Sequence, residues 1–365
     1  MPAMNKKSLK DVLKTQTAVR DDFAYFSDQT EKLKSHLPEA DKQVFELFNH
    51  SEVKELLDFT QSDKQKAVLR AMLKEPSVKR VAIINDDVLQ TLDGLEDQFP
   101  NFSEVISLCK TSLLLSSLEQ PGIIQLPPML LAGPPGLGKT LFMHTLASKL
   151  GTDFYSLDMS TASSGFVING GNCSWADSKP GFISDSLRKS RFANPVIMLD
   201  EVDKVTGSSQ FDPLAPFYSL LEAHTARRFV DEYIEVPMNA SAVMWVATAN
   251  EPELIPAPIL SRMHIVDIPQ PTRSQARKIA QSVYTGLLKA NPWGKHFAPY
   301  LNEHALEKLA TLPPRQMKHC LKVAMGQSVQ RSGGKYRPII ITHKDIRPDI
   351  RDSSEQRGMG FLAKI

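Results

Sequence analysis

A doubly wound α/β fold on a parallel sheet is the class this sequence predicts, with a helical N-terminal region before it and a small helical lid after it. Three stretches carry the prediction. Gly133-Pro134-Pro135-Gly136-Leu137-Gly138-Lys139-Thr140 stands between apolar Met129-Leu130-Leu131-Ala132 and a helix-like run. Val196-Ile197-Met198-Leu199 leads straight into Asp200 and Glu201. Val243–Thr248 is a further apolar run, ending beside Asn250. Short apolar runs alternating with helical stretches suit a parallel sheet covered on both faces, and such sheets take ligands at their strands' C-terminal ends.

Taken in order, residues 1–100 read as a charged helical region. Val53–Phe59 and Lys64–Leu73 carry apolar residues at helical spacing. A helix over Phe102–Leu118 follows, broken by Glu119-Gln120-Pro121-Gly122. The nucleotide-fold domain takes residues 101–270. Its strands are Met129–Ala132, Phe154–Asp158, Val196–Asp200, Val243–Thr248 and His264–Ile268, and Leu141–Leu150 is the helix after the first. Ser164–Gly181 reads as a long insertion without regular structure. Pro269-Gln270-Pro271 marks a hinge. The lid, 271–350, holds helices over Arg273–Ala290, Glu303–Thr311 and Arg315–Arg331 and a short strand at Ile339–Thr342. A polar tail, 351–365, ends the chain.

Composition sets bounds. The chain has 365 residues, 42% hydrophobic and 23% charged, which supports a core in a soluble protein. A net charge of +2 gives no global basic footprint for nucleic acid. Cys109, Cys173 and Cys320 are far apart with no CxxC spacing, which argues against zinc or a disulfide framework and for the cytoplasm. The polar start is not a signal core, and no apolar run approaches membrane-spanning length.

The first stretch fits G-x-x-x-x-G-K-[ST], the phosphate-binding P-loop. Gly136 and Gly138 lack a Cβ, so the chain can turn sharply and aim its N–H groups inward. Lys139 supplies a charge for the β- and γ-phosphates of ATP, and Thr140 a hydroxyl for Mg²⁺. Gly133, Pro134, Pro135 and Leu137 complete the cradle, and Leu141 begins a helix whose positive N-terminus faces the phosphates. In a P-loop fold, the strand end beside this loop places Asp200 near Mg²⁺. Glu201 is then in position to deprotonate the attacking water. Alone, the pair would read as an acidic loop. Asn250 would lie between the two strands, its amide able to hold that water. An isolated Asn after a strand is more often a turn residue.

Together these stretches resemble an AAA+ ATPase, and within that class the ATPase module of the Lon protease family. The residues that carry the resemblance are the P-loop, Asn194-Pro195-Val196–Lys204, Asp212–Glu222, Phe229–Pro237 and Ala247–Met263. Within the last, Ala247-Thr248-Ala249-Asn250 followed by Ile255-Pro256-Ala257-Pro258-Ile259-Leu260-Ser261-Arg262-Met263 is the most Lon-like. The resemblance runs roughly from Phe102 to Arg331 and is weaker in the lid.

The resemblance implies further roles. Arg262 takes the arginine-finger position, reaching the γ-phosphate of a neighbouring subunit, and so implies a head-to-tail homo-oligomeric ring, a hexamer. Arg315 matches the sensor-2 arginine, which reaches the nucleotide in cis. Trp175 falls at the aromatic pore-loop position, where it would grip a protein substrate. Trp stands there in place of Tyr, and the basic residues usual in that loop are absent. The chain ends soon after Ile339–Ile346, so a Ser–Lys peptidase domain is not expected. The resulting expectation is a cytoplasmic, ring-forming ATPase that remodels or unfolds proteins. Two alternatives stay open: a nucleic-acid-stimulated motor or clamp-loader-like protein, disfavoured by the near-neutral charge, and an ATP-dependent switch recruiting a partner through the N-terminal region.

Overall fold

In the computed structural model, residues 44–119, 121–162, 164–175, 177–205, 212–333 and 338–347 are described. The first 43 residues of the expected N-terminal region and the expected tail 351–365 lie outside the described residues. Contacts divide the chain into two units. One takes residues up to Leu92, Val105–Gly133 and Lys139–Asp267; the other takes Asp93–Glu104, Pro134–Gly138 and everything from Ile268.

The first unit holds the sheet: β1 (Met129–Ala132), β2 (Phe154–Asp158), β3 (Val196–Asp200), β4 (Met244–Ala249) and β5 (His264–Asp267). Their order is β2-β3-β4-β1-β5, with every pairing parallel. The C-terminal ends of β3, β4 and β1 therefore stand side by side. All of β1 and β4 is buried, and β3 is buried up to Asp200, as continuous apolar strands between two helical layers should be. The helix after β1 spans Lys139–Leu150 and buries Phe142, Met143, Leu146 and Leu150. The insertion expected to be irregular contains a short helix, Phe166–Asn169.

Residues 44–92 belong to this same unit, where the sequence suggested a separate region up to residue 100. Helices His50–Phe59 and Asp63–Met72 are capped by the side chains of Asn49 and Ser62. Leu47, Val53, Leu69 and Met72 join one apolar cluster with Leu130, Ile197 and Trp245 from the sheet. Gln65 Nε2 donates to Tyr233 O at 2.9 Å in a buried bond. Buried Asn194 accepts the Ala82 N–H at 2.8 Å and donates to Ala82 O and Ile124 O at 3.0 and 2.7 Å. The amphipathic stripes show that these helices bury a face; only the tertiary fold shows what covers it.

The second unit centres on helices Arg273–Ala290, Glu303–Leu309 and Pro314–Ser332. The first starts in a capping box of Thr272 and Gln275, and the last ends on left-handed Gly333. Tyr284, Leu309, Met317, Leu321 and Ile346 are buried among them. Burial pushes the Tyr284 phenol up to about 12, its hydroxyl donating to Ala298 O at 2.6 Å. The strand expected at Ile339–Thr342 does not form. Ile339 makes one isolated parallel bridge to Phe297, and Ile339 and Ile341 pack among the helices instead. A lone extended segment with no ladder partner gains more from burying its side chains.

Candidate active site

The ε-ammonium of Lys139 is the centre of the site in the first unit. Its Nζ donates to Gly133 O at 2.5 Å, Ala249 O at 3.1 Å and Asn250 Oδ1 at 3.2 Å. These acceptors come from the ends of β1 and β4, which the register holds level, Ala132 opposite Ala249. Burial pushes Lys139 below its ordinary value, and the charges of Asp200, Asp203 and Glu201 oppose the shift. Desolvation disfavours the charged ammonium, and negative charge close by favours it.

Asp200 closes β3. Thr140 Oγ1 donates to Asp200 Oδ2 at 2.8 Å, and Thr248 Oγ1 donates to Asp200 Oδ1. The hydroxyl of Thr140 and the carboxylate of Asp200 form a hard-oxygen pair of the kind Mg²⁺ takes, so this donor set fits the cation. Glu201 follows in a left-handed conformation, φ 58° and ψ 48°. For a side chain with a Cβ this costs roughly 1–3 kcal/mol and persists only where the surroundings enforce it.

The loop after β4 is tied to the turn after β3. Asp203, whose side chain has no exposed surface, accepts the backbone N–H groups of Asn250 and Glu251 at 3.2 and 3.1 Å. Lys204 Nζ lies 3.4 Å from Asp203 and 3.0 Å from Glu251. The structure thus brings together Lys139, Thr140, Asp200, Glu201 and Asn250. It adds Thr248 and Asp203, which sequence reasoning passed over.

Other expected residues bond elsewhere. Arg262 Nε donates to Glu222 at 2.6 Å and its NH1 to Pro258 O at 2.6 Å. Gly136 and Gly138 have φ of +83° and +92°, which side chains rarely adopt. They lie in the second unit with Pro134, Pro135 and Leu137. In that unit a Cβ placed on Gly136 would meet the Arg315 Cβ at 3.7 Å. Leu141, one residue past Thr140, is exposed. Trp175 is 50% exposed and meets the Phe166 ring edge-on, centroids 4.8 Å apart. Its loop ends at Gly181, whose N–H donates to buried Asp231 at 2.7 Å. Asp231 also accepts from Ser184 Oγ and from the N–H groups of Tyr233 and Ile234. Burial pushes the Asp231 carboxyl above the usual range, and those four donors oppose the shift without reversing it.

Residues 129–269 match the family model described as "ATPase family associated with various cellular activities (AAA)". The Lon protease of Halothermothrix orenii is 32% identical over 63% of this chain and 27% of its own length. The mitochondrial Lon protease homolog of Emericella nidulans is 29% identical over 78% of this chain and 25% of its own. The chain thus spans about a quarter of the length of these relatives. The S. cerevisiae Hsp104:casein complex superposes with a TM-score of 0.57 at 15% identity, covering 69% of this chain and 49% of that one. That likeness concerns the fold alone: the α/β P-loop fold of AAA+ proteins. Among the described residues no helix is long and apolar enough to cross a membrane.

Proposed function

From the premise that residues 129–269 are an AAA ATPase module similar to that of the Lon proteases, we propose that the chain is a cytoplasmic, Mg²⁺-dependent ATPase. It assembles into a head-to-tail ring, a hexamer, and remodels or unfolds protein substrates. The observation that carries the reading is the meeting of Lys139 Nζ with Asn250 Oδ1 at 3.2 Å, with Thr140 Oγ1 donating to Asp200 at 2.8 Å beside it in the chain. A phosphate-binding cation, a water-holding amide and a base, Glu201, then share the C-terminal ends of adjacent strands.

The residues divide the work. Lys139 and the backbone N–H groups of 133–140 hold the phosphates of ATP. Mg²⁺ held by Thr140 and Asp200 would neutralise charge on the phosphates. Glu201 takes a proton from the attacking water, and the Asn250 amide orients that water. Arg262 acts on the neighbouring subunit's nucleotide and Arg315 on its own, so turnover couples to the angle between domains. Trp175, on an exposed loop, grips extended polypeptide by packing. That the Lon relatives are proteases supports a protein substrate.

The test is size measurement of wild type and Glu201→Gln with and without ATP. A nucleotide-dependent ring, retained longest by the variant, is expected. A monomer in every state would overturn the ring and the trans role of Arg262.

A further inference from the structure

The hydroxyl of Thr248 stands between two residues assigned to chemistry and has itself been given none. The Glu201 backbone N–H donates to Thr248 Oγ1 at 2.9 Å, and the hydroxyl donates onward to Asp200 Oδ1. An amide N–H can only donate, so the hydroxyl proton must turn to the carboxylate, and both directions are fixed. Thr248 is 1% exposed, so water does not compete for either bond.

The amide it holds belongs to the strained residue. Glu201 sits at φ 58° with a side chain, a conformation that relaxes unless its neighbours enforce it. The other end of the turn is held separately, by the Lys204 N–H donating to Glu201 O at 3.0 Å. The sheet supplies the placement: Leu199 pairs with Ala247, so Asp200 and Thr248 follow one step later on adjacent strands.

We propose that Thr248 is a positioning residue for ATP hydrolysis. Its hydroxyl locks Glu201 in the left-handed turn that aims the carboxylate at water, while Asp200 keeps its separate bond from Thr140 when that hydroxyl is removed. Thr248 acts through Glu201, whose N–H it accepts. The proposal rests on the ATPase reading above.

Thr248→Val keeps the shape and removes the hydroxyl. The full chain should then turn over ATP about 10- to 100-fold more slowly, the usual loss when a group that orients a catalytic ligand is removed. KM and affinity for a non-hydrolysable ATP analogue should change by less than about threefold, since ground-state binding is untouched. Thr248→Ser should restore most of the turnover. In a Glu201→Gln background, Thr248→Val should cost less than about threefold more in single-turnover rate, because both changes act on one group. Wild-type turnover in Thr248→Val, a full additional loss on top of Glu201→Gln, or no rescue by Ser would each overturn the proposal. Should the valine variant fail to fold, Thr248→Ala is taken through the same assays. Absence of ATP turnover in the wild type, or turnover undiminished in Lys139→Ala, would instead sink the ATPase reading itself.

Discussion

Asp203 Oδ2 accepts the backbone N–H of Asn250 at 3.2 Å, from a side chain without exposed surface. The bond ties the turn after β3 to the loop after β4, so Glu201, the proposed base, and the amide of Asn250 share one frame. Asp203→Ala leaves the N–H groups of Asn250 and Glu251 without their acceptor. The variant should lose about 1–3 kcal/mol of stability in urea unfolding, as buried donors left unpaired do. Unchanged stability would mean that the loop is held otherwise.

Lys139 offers a direct measure of the phosphate site. It is buried to 8% exposure and points at acceptors already in place. Lys139→Ala should weaken ATP binding by about 10- to 150-fold, the equivalent of losing hydrogen bonds from a charged donor. Titration with a fluorescent ATP analogue reads this out, and equal affinity for both proteins would contradict it.

Arg262 is held by Glu222 within its own chain, whereas the proposed ring gives it a task across the interface. Arg262→Ala should bind ATP normally yet hydrolyse it about 10³-fold more slowly, the lower range for losing an arginine finger. Mixing it with Lys139→Ala subunits should recover activity, because some interfaces then combine an intact lysine with an intact arginine. No recovery on mixing would argue that Arg262 acts in cis.

Trp175 is half-exposed on a loop whose end is pinned to Asp231. Trp175→Ala should leave basal ATP turnover and melting temperature as in wild type and abolish its stimulation by an unfolded protein. Stimulation that survives would place the grip elsewhere.

Asp345 provides a pH signature in the second unit. Burial pushes its carboxyl up, but hydrogen bonds from Arg331 and Thr342 and the Arg331 charge hold it below the usual range. A depressed carboxylate contributes stability above the unfolded value of about 4, and that contribution is lost as pH falls through the folded value. Thermal unfolding followed from neutral pH downward should therefore fall more steeply for wild type than for Asp345→Asn. Parallel curves would show that the pair contributes nothing.

The sequence by itself located the strands of the parallel sheet and the P-loop, because both are local signals. Apolar runs of strand length located β1, β3 and β4 within a residue, and the P-loop spacing singled out Lys139 and Thr140 before any fold was known. The helix Arg273–Ala290 was legible with both of its ends, and the structure shows Thr272 and Gln275 capping its start. Tertiary structure alone decided the pairings. Helices 50–59 and 63–72 advertise an apolar face, but nothing local says that it lies against Trp245 and Ile197. Thr248 reads as an ordinary β-branched strand residue until the parallel register sets it beside Asp200. Asp203 reads as a surface acid until β4 brings the N–H groups of Asn250 and Glu251 to it. Strand identity follows from the period of one segment, whereas a hydrogen bond between loops 47 residues apart follows from the order β2-β3-β4-β1-β5, which no single segment encodes.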